Sequence, residues 1–114
     1  MNVYHKSLIL SLSFVILSIL GSVFNLVAIK SNGNLMPVYA DWTWSDDSKH
    51  FIFTDKESVN YFYLTDIIPI QIRNLEGKLS IGDILMFLSL ILEFTIGAYY
   101  VFLVYKSYKN ERFK

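Results

Sequence analysis

Two long apolar stretches bracket a polar middle. The first covers residues 8–29 and the second residues 84–105. Each is about 22 residues, or about 33 Å as a helix, enough to cross the hydrocarbon core of a bilayer. Within residues 8–17 only Ser11 and Ser13 are polar, and within 84–92 only Ser89. A soluble helical hairpin would carry a polar outer face, and these stretches have none. The pattern predicts a mainly α membrane protein. Its architecture is a two-transmembrane-helix antiparallel hairpin with a small α+β extracytoplasmic cap. The segments are an N-terminal tail (1–7), a first span (8–29), the cap (30–83), a second span (84–105) and a basic tail (106–114).

The middle segment changes period several times. Ser31-Asn32-Gly33-Asn34 is a turn signal that ends the first span. In residues 38–44, Val38, Ala40, Trp42 and Trp44 alternate with polar or half-polar positions, which predicts a strand with one apolar face. Pro37 falls just ahead of it, where a missing N–H does least harm. Asp46-Asp47-Ser48 turns the chain, and residues 50–53 form a second short strand. Thr54-x-x-Glu57 is a capping box, and Val59, Phe62, Tyr63 and Asp66 follow at helical spacing. This predicts a short helix over 55–65, with Pro69 stopping any continuation. Ile68, Ile70 and Ile72 alternate in a further extended run, and 74–78 reads as a loop. Ser80-x-x-Asp83 is a second capping box that opens the second span.

Each span carries one polar or small stripe. In the first it is Ser11, Ser18, Ser22 and Asn25, with Gly21 beside them. In the second it is Ser89, Glu93 and Gly97 at four-residue spacing. Membrane helices pack through small residues and share polar groups across the contact. A register that sets Ser22 opposite Ser89 also sets Ser18 opposite Glu93 and Asn25 opposite Met86. Glu93 then has two readings. An intramembrane ionisable group is by default a proton or cation site. The plainer reading, favoured here, is a neutral acid hydrogen-bonded between two helices or two subunits. The spans offer one acid and no basic partner.

Charge places the ends. Lys106, Lys109, Arg112 and Lys114 crowd the C-terminal tail against Glu111 alone, and Lys6 lies in the N-terminal tail. The middle segment's positives are spread out, with only Lys30 and Lys78 close to a span. The positive-inside rule then sets both termini in the cytoplasm and 30–83 outside. Lys, Asn, Ile and Tyr usage has a bacterial cast, so the expected location is the bacterial plasma membrane. Residues 1–6 are compatible with a signal peptide, and Val38-Tyr39-Ala40 is a weak cleavage-like site. The apolar run far exceeds the usual h-region of about 7–15 residues, so an uncleaved anchor is expected.

The 114 residues carry no net charge and a mean hydropathy of +0.40, so nothing draws the chain to nucleic acid. No Cys is present, which excludes disulfides, thiolate catalysis and Cys-ligated metal. Asp46, Asp47 and His50 have metal-ligating side chains, but a turn uses the same residues and no metal is expected. Asp83 reads as a helix cap. No nucleophile–base pair, phosphate loop or zinc spacing is present, so neither catalysis nor a cofactor is expected.

Three short motifs resemble a family. They are Asn32-Gly33-Asn34-Leu35-Met36-Pro37-Val38, then Leu64-Thr65-Asp66-Ile67-Ile68-Pro69 following His50, then Ser80-Ile81-Gly82-Asp83. Together, over roughly residues 32–95, they resemble an uncharacterised family of small bacterial membrane proteins, numbered 5317 among domains of unknown function. Thr65 stands where the family pattern has Gly, and Glu93 lies outside the pattern. The resemblance implies a membrane protein and no known activity. The matched residues suggest a structured outer cap in which Asp66 and Asp83 hydrogen-bond backbone groups.

The expected function is association. The chain reads as a non-enzymatic accessory subunit or self-associating unit, with the lipid bilayer and other membrane subunits or further copies as partners. The alternatives are an outer-face recognition or immunity-type protein binding a peptide or lipid through Trp42, Trp44 and Phe51, and a proton- or ion-coupled component using Glu93.

Overall fold

The computed structural model describes residues 2–40 and 49–114. Two helices dominate it: α1 (Val3–Ser31) and α2 (Ile81–Arg112), with the rest of the chain folded between the end of one and the start of the other. Both outrun the apolar stretches. The Asn2 side chain accepts from the His5 N–H at 2.9 Å, which starts α1 inside the expected tail. At the other end α2 runs through most of the expected basic tail. Lys109 and Arg112 lie in its last turn, where positive charge suits the helix C-terminus.

Both helices are long and apolar enough to cross a membrane by length and composition, with mean hydropathies of 2.4 and 1.9 over an 18-residue stretch of each. Very little of either is covered. The buried residues are Gly21 and Ala28 on α1, and Gly82 and Ser89 on α2. Leu8, Ile16, Ile19, Phe87, Phe94 and Val101 all stand exposed. Within the single chain, the apolar faces of both helices are thus left largely uncovered.

The helices touch most closely at Gly21 and Gly82. A Cβ on Gly21 would lie 2.6 Å from the Gly82 carbonyl oxygen, and one on Gly82 would lie 2.5 Å from that of Gly21. Only glycine at both positions permits this approach. Near the chain termini the pair opens, and a Cβ on Gly97 would meet nothing within 4 Å.

The cap is built on β1 (Met36–Tyr39) and β2 (His50–Phe53), paired in parallel with Met36 opposite His50 and Tyr39 opposite Phe53. On the other side of β1, Asp66 makes an isolated bridge: its N–H donates to the Pro37 carbonyl, and its carbonyl accepts from the Tyr39 N–H, both at 3.0 Å. Pro37 therefore sits inside β1, not ahead of it as the sequence suggested. Its missing N–H falls on the Asp66 side, where the neighbouring segment is a single bridge long. The strand expected over 38–44 is observed as far as Tyr39. Trp42, Trp44 and the Asp46-Asp47-Ser48 turn lie outside the described residues.

The helix expected over 55–65 does not form. Two single 3-10 turns, Lys56–Ser58 and Phe62–Leu64, take its place. Asp55, not Thr54, caps the first, accepting from the Glu57 N–H at 3.0 Å. Two tertiary contacts override the helical pattern. Val59 is extended and buried in the cap, and Asn60 is held by Asn32. The loop expected over 74–78 is also a strand. β3 (Ile68–Ile72) and β4 (Leu75–Leu79) form an antiparallel hairpin closed by Arg73 and Asn74, with Arg73 in the left-handed region at φ 53°. That two-residue connection aligns the Glu76-Gly77-Lys78 segment with β3 despite its weak strand propensity.

Met36, Pro37, Val38, Ala40, Phe53, Val59 and Thr65 fill the cap interior. Beside them, rings of Tyr39, Phe53 and Phe62 meet edge-on or tilted at 5.5–5.9 Å. Thr65 has ordinary extended geometry (φ −84°, ψ 175°), and its hydroxyl donates to the Phe62 carbonyl at 2.6 Å. No special backbone conformation is needed there.

Candidate functional site

Asn32 ties α1 to the cap. Its amide N–H group donates to the Ala28 carbonyl at 2.7 Å and the Asn60 carbonyl at 2.9 Å, while its Oδ1 accepts from the Asn60 N–H at 2.8 Å. The Asn60 side chain donates in turn to the Ser31 carbonyl. Gly33 and Asn34, at φ 73° and 64°, then reverse the chain into β1. The Asn-Gly turn motif is thus a splice between helix and cap.

A second polar node lies where α2 begins. Ser80 is fully buried and forms a reciprocal capping box with Asp83: its hydroxyl accepts from the Asp83 N–H at 3.0 Å, and Asp83 Oδ2 accepts from the Ser80 N–H at 3.2 Å. Asn25 completes the node from the other helix. It donates to Asp83 Oδ1 at 2.7 Å and accepts from the Ser80 hydroxyl at 2.6 Å. One carboxylate therefore caps its own helix and binds the facing one. The sequence set Asn25 against Met86; the structure pairs it about one turn earlier, because the Gly21–Gly82 contact fixes the register.

Asp66 lies under β1, 6% exposed. Its Oδ2 is 3.8 Å from His50 Nε2, while Oδ1 is buried and has no hydrogen-bond partner among the described residues. The carboxyl thus departs from the expected backbone-bonded role, which Asp83 alone fills. Burial, and then the nearby Asp83 charge, push the Asp66 pKa up to about 6, against the opposing pull of His50. Pro69, exposed on β3, stands outside the node. Phe51 is half-buried in β2 opposite Pro37, so it offers less surface than the binding reading supposed. Among the described residues no group of three or more metal-ligating side chains converges.

The third grouping lies between the helices, away from the cap. The Ser11 hydroxyl donates to Glu93 Oε2 at 2.7 Å. The expected partner, Ser18, lies about two turns further along α1; its backbone carbonyl accepts from Ser22. Ser22 also reaches Met86 Sδ at 3.2 Å, and Ser89 donates to the Met86 carbonyl within its own helix, so Ser22 and Ser89 are not partners. Beyond Ser11 and Glu93 the diverging helices leave a lateral cleft of about 460 Å³, bounded by Tyr4, Ser7, Leu8, Ile96, Gly97 and Tyr100. Gly97 opens the cleft instead of seating a helix contact. The Tyr4 and Tyr100 rings meet edge-on at 5.6 Å at its far end. Sequence reasoning missed Ser11, Tyr4 and Tyr100 as site residues. Ser11 was legible as a member of the same stripe as Ser18, but only the register decides between them.

These features define a class: two long apolar helices joined by a small cap of parallel and hairpin strands, with polar ties at the helix ends. Within that class the chain belongs to DUF5317, a family of unknown function, whose pattern it matches over residues 8–96. The match covers most of α1, the whole segment between the helices and the first half of α2. No curated protein and no solved structure matches the chain.

Proposed function

We propose that the chain is an integral membrane protein with two spans that works by association, as an accessory subunit or self-associating unit of a membrane complex, without catalysis of its own. The observation that carries this reading is the exposure of the helices. Beyond the narrow seam at Gly21 and Gly82, apolar side chains of α1 and α2 face outward along their length. In lipid such faces are solvated by acyl chains or by neighbouring helices. The bacterial plasma membrane is the proposed location. Lys6, Lys106, Lys109, Arg112 and Lys114 gather at one end of the pair, which favours cytoplasmic termini and an outer cap.

The test has two parts. Alkaline carbonate washing of membranes should leave the protein in the pellet, and reporter fusions should mark the C-terminus as cytoplasmic and Ser48 as external. Release by carbonate sinks the spanning reading; an external C-terminus sinks the orientation. Mild detergent extraction followed by native electrophoresis should then give a species larger than one chain. A lone monomer at every detergent-to-protein ratio would defeat association.

A further inference from the structure

We propose that the end of α2 that runs on past α1 binds the headgroups of anionic phospholipids, through one face that sets Tyr105 and Tyr108 beside Lys106, Lys109 and Arg112. The inference rests on the membrane-spanning reading above, since it needs this end of α2 to emerge from a bilayer.

The helix pair is uneven at this end. The ring of Tyr4, in the first turn of α1, meets that of Tyr100 at 5.6 Å, yet α2 continues to Arg112. About three further turns, or roughly 18 Å, therefore have no α1 beside them. Every residue from 104 to 114 is exposed. Where a span ends, such an uncovered stretch lies among the headgroups.

The two sides of this end differ. At about 100° per residue, Glu93, Tyr100, Ser107 and Glu111 fall in one column. Glu93 and Tyr100 touch Ser11 and Tyr4, so the column marks the side towards α1. The side away from α1 carries Phe87, Phe94 and Val101, each at least 65% exposed. Past α1 that outward side continues as Tyr105, Lys106, Tyr108, Lys109 and Arg112, with the three cations within about 120° of one another. One face thus passes from apolar side chains, through mixed tyrosine and lysine, to Arg112. That is the order of the layers in a bilayer leaflet: hydrocarbon, interface, phosphate. Tyrosine suits the interface, and long basic side chains reach beyond it.

Charge selects the lipid. Glu111, the one acid of residues 94–114, lies on the α1 side and leaves the outward face purely cationic. Among the described residues none of the three cations makes an ion pair within the chain. The C-terminal end of a helix is itself unfavourable for an anion, so the side chains must supply the attraction. A zwitterionic headgroup brings no net charge to meet them, and an anionic one does.

The probes for the test are phosphatidylglycerol and phosphatidylcholine, each with a photoactivatable group at the headgroup end of one acyl chain. The full chain is reconstituted in phosphatidylcholine nanodiscs doped with one probe or the other, irradiated at low salt, and mapped by mass spectrometry. Labelling of residues 99–113 by phosphatidylglycerol should exceed that by phosphatidylcholine. The expected excess lies between about fivefold, the worth of one cation near the surface, and about one hundredfold, the product of three. Residues 84–94 should show no such preference. Lys106→Gln, Lys109→Gln and Arg112→Gln together should bring the two probes to parity. Adding Ser107→Lys and Glu111→Lys to that variant returns three charges on the α1 side and should not restore the preference. Full restoration would mean that charge acts without regard to face, which overturns the proposal. Equal labelling by the two probes in the unmodified protein overturns it without any variant having to fold. So does a preference spread evenly along α2, or one unchanged at about 1 M salt, where charge is screened within about 3 Å. Carbonate extraction scores the spanning reading separately: a protein that stays in the pellet and shows no lipid preference fails this proposal alone.

Discussion

Asn25 on α1 and Asp83 on α2 are joined side chain to side chain at 2.7 Å, and the same Asp83 carboxylate receives the N–H of Ser80. Helix capping and helix pairing are therefore one interaction. Loosening the chain at Ser80 therefore also costs the bonds that Asn25 makes from α1.

Asp83→Ala should accordingly cost more than an ordinary lost cap. We expect about 2 kcal/mol, combining a cap worth about 1 kcal/mol with an Asn25 amide left without its acceptor. Thermal unfolding in detergent measures it. In a double-mutant cycle, Asn25→Ala and Asp83→Ala should be non-additive by at least about 0.5 kcal/mol. Additive losses would mean that the two residues act separately.

Gly21 and Gly82 should resist any enlargement. Gly21→Ala or Gly82→Ala puts a Cβ against carbonyl oxygen and should destabilise the hairpin by about 1–3 kcal/mol, the usual cost of overpacking. Gly97→Ala meets open space and should be neutral or stabilising by up to about 1 kcal/mol through helix propensity. Equal effects at all three sites would contradict the divergence of the helices.

Asp66 should make cap stability depend on pH. Its pKa in the folded protein, about 6, is raised above the value of about 3.9 for an unfolded chain, chiefly by burial. The folded state therefore holds the proton more tightly. The stabilisation from this group is fully present below about pH 4 and is lost as pH rises through about 6. Asp66→Asn is neutral throughout. Relative to it, the unmodified protein should lose thermal stability between pH 4 and 7. A stability difference that stays constant with pH would remove Asp66 as the titrating group.

The Ser11–Glu93 bond should contribute to holding the open end of the helix pair. Glu93→Gln should be tolerated, whereas Glu93→Leu should weaken helix association by about 0.6–2 kcal/mol. Ser11→Ala should lose less in the same direction, and Ser18→Ala should change little. Association can be followed by resonance energy transfer between labels on the two helix ends. A larger loss from Ser18→Ala than from Ser11→Ala would restore the register inferred from sequence.

The amino-acid sequence determined the two long helices, because residues 8–29 and 84–105 are apolar over a length that few other structures can use. It also determined the Ser80–Asp83 box and the Asn32-Gly33-Asn34 turn, whose chemistry is local and repeats wherever a helix starts or stops. Which residues meet across space was decided only by the tertiary structure. The stripes on α1 and α2 fit more than one antiparallel register, and the choice fell to the close approach of Gly21 and Gly82, which sets Ser11, not Ser18, against Glu93. The same holds in the cap. Val59 and Asn60 lie in a helical pattern, yet burial of one and the bonds from Asn32 to the other hold the chain out of a helix. Residues 74–78 become a strand because the Arg73–Asn74 turn folds them back onto β3. Periodicity reports what a segment can do alone; long-range contacts decide what it does when another segment needs its backbone.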